Sequence, residues 1–175
     1  MSTVGETIWL TGLSGAGKTT TTEAIRELLA SQGERIVVVD GDELRGGLSK
    51  GLGFSNEDRD ENVRRAGEVA ILMARQGFTV VVALISPRRS ARENVRQRHD
   101  ESGVRFHEVY LSTPLEVCEA RDPKALYRAA RAGTNQRMTG LDDPYEPPTH
   151  PEIEINTANS TPEESARAIC ALLGR

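Results

Sequence analysis

Cysteine is nearly absent: Cys118 and Cys170 are the only two in 175 residues. Two thiols without metal-ligand spacing make neither a disulfide framework nor a zinc site, so both read as reduced. Long apolar runs are missing as well. Nothing approaches the ~20 residues of a membrane span, and Met1 to Ile8 has neither a basic nor an apolar leader pattern, which predicts a cytoplasmic protein with no membrane partner. There is no excess of positive charge, since 22 Lys and Arg stand against 26 Asp and Glu for a net of −4. That balance argues against nucleic acid as a partner, so any bound anion must be held by a local site. Internal repeats and low-complexity tracts are also lacking.

What is present is the makings of one globular unit. With 37% hydrophobic and 27% charged residues, a chain of this length buries roughly 70% of its unfolded surface, so residues 1–175 are expected to form a single domain. Short β-branched runs at Thr7–Thr11, Arg35–Asp40, Phe78–Ile85, Arg105–Leu111 and Glu152–Asn156 alternate with segments of helical period. That alternation predicts an α/β three-layer sandwich around a five-stranded parallel sheet. The run from Thr79 to Ile85 is almost continuously apolar, as in a strand covered on both faces. Thr113-Pro114-Leu115-Glu116 and Thr161-Pro162-Glu163-Glu164 both read as capping boxes with Pro at the first helical position. Arg121 to Pro151, rich in Arg, Gly and Pro, fits no regular element and reads as a lid.

The strongest chemical signal follows the first strand. Gly12-Leu13-Ser14-Gly15-Ala16-Gly17-Lys18-Thr19 satisfies G-x-x-x-x-G-K-[ST] between a strand and a helix. In such a loop glycines let successive N–H groups face phosphate oxygens, and the helix start adds its positive end. Lys18 then reaches the β- and γ-phosphates and Thr19 holds Mg²⁺; Thr20, next on the helix, joins the nucleotide-binding set. ATP and Mg²⁺ are therefore expected. No N/T-K-x-D element is present to read guanine, and a phosphotransferase to a small molecule fits a domain of this length better than a GTPase. Arg121, Arg128 and Arg131 in the irregular segment suit a lid that neutralises the transferring group and excludes water, although a solvated basic face accounts for any one of them alone.

Acceptor chemistry is expected at the carboxyl ends of the next strands, where open parallel sheets bind ligands. Strand two ends in Asp40-Gly41-Asp42; one carboxylate suits water on Mg²⁺ and the other a substrate hydroxyl, with Asp40 assigned to the metal and Asp42 to the base. Ser55 with Asp58 reads as an N-cap that places Arg59 and Asn62 one turn apart on one side, a pair able to grip a compact anion. Phe54 stands in a turn, open to either base stacking or core packing. Ser86 lies at the end of strand three, either at the rim of the site or as a helix N-cap ahead of Pro87.

These segments, together with Arg121-Asp122, Leu126-Tyr127, Ala130-Arg131-Ala132-Gly133 and Thr139-Gly140, resemble the adenylylsulfate kinase family in order along nearly the whole chain. The resemblance implies a P-loop fold and ATP-dependent phosphorylation of the ribose 3′-hydroxyl of adenosine 5′-phosphosulfate, usually by a homodimer. It implies acceptor contacts at Asp42, Arg45, Phe54, Arg59, Asn62, Ile85 and Ser86. The family serine matching Ser86 is described as a phosphoserine intermediate; direct in-line transfer needs no such relay, so Ser86 is expected to position. The pattern departs at Gln136, where the family carries a Lys, and at Met138, where it carries the Phe that faces Phe54 across adenine. Arg88 stands where an aromatic is usual. The departures keep two alternatives in play: a relative with another adenosine-type or small hydroxyl acceptor, and a nucleotide-binding regulator without transfer.

Overall fold

The structure, a computed structural model, describes residues 4–133 and 138–174. Strands β1 (Glu6–Thr11), β2 (Ile36–Asp40), β3 (Thr79–Ala83), β4 (Arg105–Leu111) and β5 (Ile153–Ile155) form one sheet in the order β2-β3-β1-β4-β5. Every pairing is parallel, with Leu10 of β1 beside Ala83 of β3 and Val109 of β4. The expected strands are thus all present: β4 has the expected bounds, β1 begins one residue earlier, and β2, β3 and β5 are trimmed by a residue or two at their ends. β3 is buried at all five positions, as its apolar run predicts.

Helices cover both faces. Successive β1 side chains point to opposite sides, and each side has its own core. Ile8 and Leu10 pack with Ile25 and Leu29 of α1 (Lys18–Ser31) and Ile169 of α7 (Pro162–Cys170). Trp9 packs with Val63, Ala66 and Ala70 of α3 (Asn56–Ala74) and Val95 of α4 (Arg89–Glu101). Burying each large side chain stabilises the fold by about 1.5–3 kcal/mol, so this alternation alone sets the register of the central strand. No helix among the described residues is long and apolar enough to cross a membrane. Cys118 is buried, Cys170 half-buried, and both are free.

Local capping follows the sequence in two places and departs from it in two. Ser55 Oγ accepts from Asp58 N at 3.1 Å and starts α3. Thr161 and Glu164 make the reciprocal capping box of α7. Thr161→Ala is expected to cost about 1 kcal/mol, a fall of roughly 2–4 °C in Tm by calorimetry. Thr113, by contrast, caps nothing: α5 (Leu115–Arg121) starts without a side-chain cap because the Thr113 hydroxyl is engaged by Ala16 O at 3.2 Å and Thr157 Oγ1 at 2.8 Å. Nor is the Arg-rich segment wholly irregular, since it contains α6 (Leu126–Arg131).

Candidate active site

β1 runs into the Gly12–Thr19 loop at the centre of the sheet, and the loop feeds α1. Gly17 is the N-cap of α1 at φ 96°, with no side-chain cap, so the first amides of a 14-residue helix are left for an anion. Gly15 has φ 76°, and a Cβ there would lie 2.7 Å from the Cys118 carbonyl, so only glycine fits that approach. The loop's carbonyls are taken from outside. Tyr127 OH donates to Ser14 O at 2.9 Å, Arg121 Nη1 to Gly15 O at 3.2 Å, and Thr157 Oγ1 to Ala16 O at 2.9 Å. This arrangement leaves backbone N–H groups for phosphate oxygens.

Lys18 folds back onto the loop, with Nζ donating to Gly12 O at 2.9 Å and Leu13 O at 2.8 Å. Desolvation pushes its ammonium down to about 8, against smaller raising contributions from Cys118, Asp40 and Asp42. Phosphates arriving at Lys18 oppose that desolvation and raise the value again. Nucleotide binding should therefore take up a proton above pH 8 and be indifferent to this group below it. Titration calorimetry at pH 7, 8 and 9, in buffers of different ionisation heat, is expected to show affinity falling up to tenfold per unit only above pH 8. A flat profile would contradict the assignment.

A cavity of about 860 Å³ opens from this loop. Ser14, Gly15, Gly17, Lys18, Thr19 and Thr20 line one end; Asp40, Asp42, Arg45, Phe54, Arg59, Asn62, Ile85, Ser86 and Met138 line the rest. Gly12, Leu13 and Ala16 do not line it. Asp40 Oδ1 accepts from Asp42 N at 2.8 Å and caps α2 (Gly41–Gly46), which fixes the acidic turn at the cavity mouth. Thr19, Asp40 and Asp42, all lining the cavity, offer hard oxygen donors. Mg²⁺ takes one or two protein oxygens beside phosphate and water, so this donor set fits it. No group of three or more His, Cys, Asp or Glu side chains gathers into a metal cage among the described residues.

The far wall is cationic and aromatic. Arg59 is buried; its Nε donates to Phe54 O and its Nη1 to Thr139 Oγ1, both at 3.0 Å. Arg45 Nη1 donates to Gly53 O at 2.8 Å, and its guanidinium lies 4.4 Å from the Phe54 ring centre. Desolvation pulls both guanidinium values down, beyond what Asp143 for Arg59 or Asp58 for Arg45 restores. An anion docked between them would recover interaction that burial removed. Asn62 is buried with Oδ1 lacking a hydrogen-bond partner, a cost best met by a ligand donor. Phe54 is 44% exposed, so it belongs to the mouth of the cavity and not to the core.

Ser86 is buried with φ 39°, two residues before the N-cap of α4, which is Arg88. The N-cap reading is thereby corrected. Ser86 Oγ instead accepts from Trp9 Nε1 at 3.1 Å and donates to Thr11 Oγ1 at 3.0 Å. Met138 is buried in the same core cluster as Tyr127. Gln136 lies outside the described residues. Arg131 turns away from the cavity to Glu119 at 2.7 Å, and Arg128 is exposed beside Asp122. Lys124 was not among the expected residues, yet it reaches over the cavity and pairs with Asp42. Its place inside the flagged Arg-rich segment was the only signal. Thr157 and Tyr127, which brace the loop, left no sequence signal of that role.

The family model described as adenylylsulphate kinase matches residues 4–156. The adenylyl-sulfate kinase of Microcystis aeruginosa is 53% identical over 94% of this chain and 89% of its own length. A structure of the Mycobacterium tuberculosis APS kinase in complex with AMPPNP and APS has a TM-score of 0.95 at 43% identity, covering 98% of both chains. A hexameric APS kinase from Thiobacillus denitrificans has a TM-score of 0.72 at 30% identity, covering 99% of this chain and 29% of that one.

Proposed function

Because the chain belongs to the adenylylsulphate kinase family, we propose that it transfers the γ-phosphoryl group of ATP to the ribose 3′-hydroxyl of adenosine 5′-phosphosulfate, giving ADP and 3′-phosphoadenylyl sulfate. The observation that carries this reading is one continuous cavity lined both by the phosphate loop and by Arg45, Arg59, Asn62 and Phe54. One end suits a triphosphate. The other suits a purine against Phe54 and a compact anion between the Arg45 and Arg59 guanidinium groups, with the orphaned Asn62 amide oxygen left for a donor on the acceptor.

Transfer then needs alignment and charge compensation more than covalent chemistry. Lys18 leaves the Gly12 and Leu13 carbonyls for the β- and γ-phosphates. Mg²⁺, held by the Thr19 hydroxyl and Asp40 through water, would supply charge neutralisation on the transferring group. Asp42 orients the 3′-hydroxyl and takes its proton as the O–P bond forms, while Lys124 brings the lid down over the acidic turn. Ser86 positions: its oxygen is already shared between Trp9 and Thr11, which disfavours a covalent role. A homodimer and cytoplasmic residence accompany this reading, the first open to light scattering.

A different acceptor is favoured by one observation, Met138 in the cavity wall where an aromatic is expected. A coupled assay with ATP, Mg²⁺ and adenosine 5′-phosphosulfate separates the readings. Micromolar acceptor giving ADP and the 3′-phosphorylated product in equal amounts supports the first; ATP binding with poor turnover supports the second; binding without transfer to any nucleotide supports a regulator.

A further inference from the structure

Arg92 lies on α4, directly behind the Ser86 lining of the cavity, and is only 1% exposed. A buried guanidinium is costly unless its nitrogens find acceptors. Here each of the three does, on three different segments. Nε donates to Glu108 Oε1 of β4 at 2.7 Å, Nη1 to the Ser86 carbonyl at 2.6 Å, and Nη2 to the Glu146 carbonyl at 2.6 Å. Glu108 supplies the counter-charge. The two backbone acceptors belong to the loop that follows β3 and to the end of the Arg-rich segment, 54 residues apart from Arg92 in the second case.

Those two loops are stitched together at several further points. Glu146 N donates to Pro87 O at 2.8 Å. The Glu146 carboxylate accepts from Arg89 N at 2.7 Å and so caps α4 from outside the helix. Tyr145 OH and Thr11 Oγ1 share a hydrogen bond at 2.8 Å, which returns the strap to the strand that carries the phosphate loop. Ser86 itself sits at φ 39°, a conformation that strains a non-glycine residue and persists only where surroundings over-determine it.

We propose that Arg92 is a positioning residue for the acceptor: it holds the Ser86 backbone in its strained conformation and moors the end of the lid segment to the same point. The Ile85-Ser86 wall is thereby kept at the distance an in-line hydroxyl requires. Glu108 supplies the counter-charge and directs the guanidinium, and a purely packing role would not require three polar partners on three segments. This rests on the acceptor reading above, and the experiment separates the two: if the parent protein does not phosphorylate adenosine 5′-phosphosulfate, that reading fails before any variant is considered.

The test compares the parent with Arg92→Lys and Arg92→Met, measuring the KM of each substrate, kcat, ATP affinity by calorimetry and Tm. Lys keeps the charge opposite Glu108, but one ammonium lacks the planar fork that spans three acceptors. Loss of charge-assisted bonds to the Ser86 and Glu146 carbonyls is expected to raise the acceptor KM roughly 10- to 100-fold in both variants, with ATP affinity within about twofold of the parent. A merely structural role would lower Tm without splitting the two substrates. An acceptor KM within twofold of the parent overturns the proposal, as does an equal loss for ATP and acceptor. If Arg92→Met does not fold, Arg92→Lys decides alone.

Discussion

Lys18→Met is expected to leave a folded protein that is almost inactive. Methionine matches the length of the lysine stem, and the change removes an ammonium that desolvation already holds down to about 8. The unliganded protein therefore loses two hydrogen bonds, to Gly12 and Leu13 carbonyls, but also a half-buried charge that burial disfavours. Tm should change little. Catalysis is another matter, because the same ammonium must compensate charge on the β- and γ-phosphates. Removing one preorganised electrostatic group costs about 10²–10³ in kcat where charge develops, and here ground-state binding of ATP suffers as well. Steady-state kinetics should show kcat/KM for ATP falling by at least about 10³, with the affinity step above pH 8 abolished in calorimetry. Retained activity would move the phosphate site elsewhere.

Asp42→Asn is expected to strike turnover and spare nucleotide binding. The backbone of the acidic turn is fixed by the Asp40 cap on Asp42 N at 2.8 Å, which the substitution leaves intact. The Asp42 carboxylate itself faces the cavity and pairs with Lys124 across its mouth. Asparagine can still accept a hydrogen bond, but it cannot take a proton. General base catalysis contributes typically 10²–10⁴-fold, so kcat should fall by about that factor while ATP affinity stays within a few-fold. Equal losses in kcat and ATP affinity would dismiss Asp42 as the base and leave it as an electrostatic anchor for the lid.

Much of the fold was legible because its signals are local. The β-branched runs, the unbroken apolar stretch at Thr79, the Ser55 and Thr161 caps and the glycine loop each depend on residues within a few positions of one another. The errors share a cause: tertiary partners outbid local ones. Thr113 reads as a helix cap, but its hydroxyl is claimed by Ala16 and Thr157, the latter 44 residues on. Ser86 before Pro87 is open in sequence to either the rim or an N-cap, and the cap alternative fails because Trp9 and Thr11 hold its hydroxyl and Glu146 caps the helix. Arg131, expected at the nucleotide, pairs with Glu119, a partner the sequence does not announce.

Legibility of the site divides the same way. The loop end is a contiguous motif and could be read residue by residue. The acceptor end draws on α2, the turn before α3, the end of β3 and Met138, and was recognisable only as a set of segments resembling a family. Phe54 stayed undecided in sequence because a turn aromatic can face either way; its exposure at the mouth beside Arg45 resolves it. Lys124 and Arg92 escaped notice because nothing in their neighbours reveals a partner 82 or 54 residues away.

The most direct measurement is the structure of the protein with a non-hydrolysable ATP analogue and adenosine 5′-phosphosulfate bound together. The ribose 3′-oxygen should lie about 3–3.5 Å from the γ-phosphorus, opposite the bridging oxygen and within hydrogen-bond reach of Asp42. A 3′-oxygen lodged away from the γ-phosphorus, or an acceptor seated outside the cavity between Arg59, Asn62 and Phe54, would contradict the account.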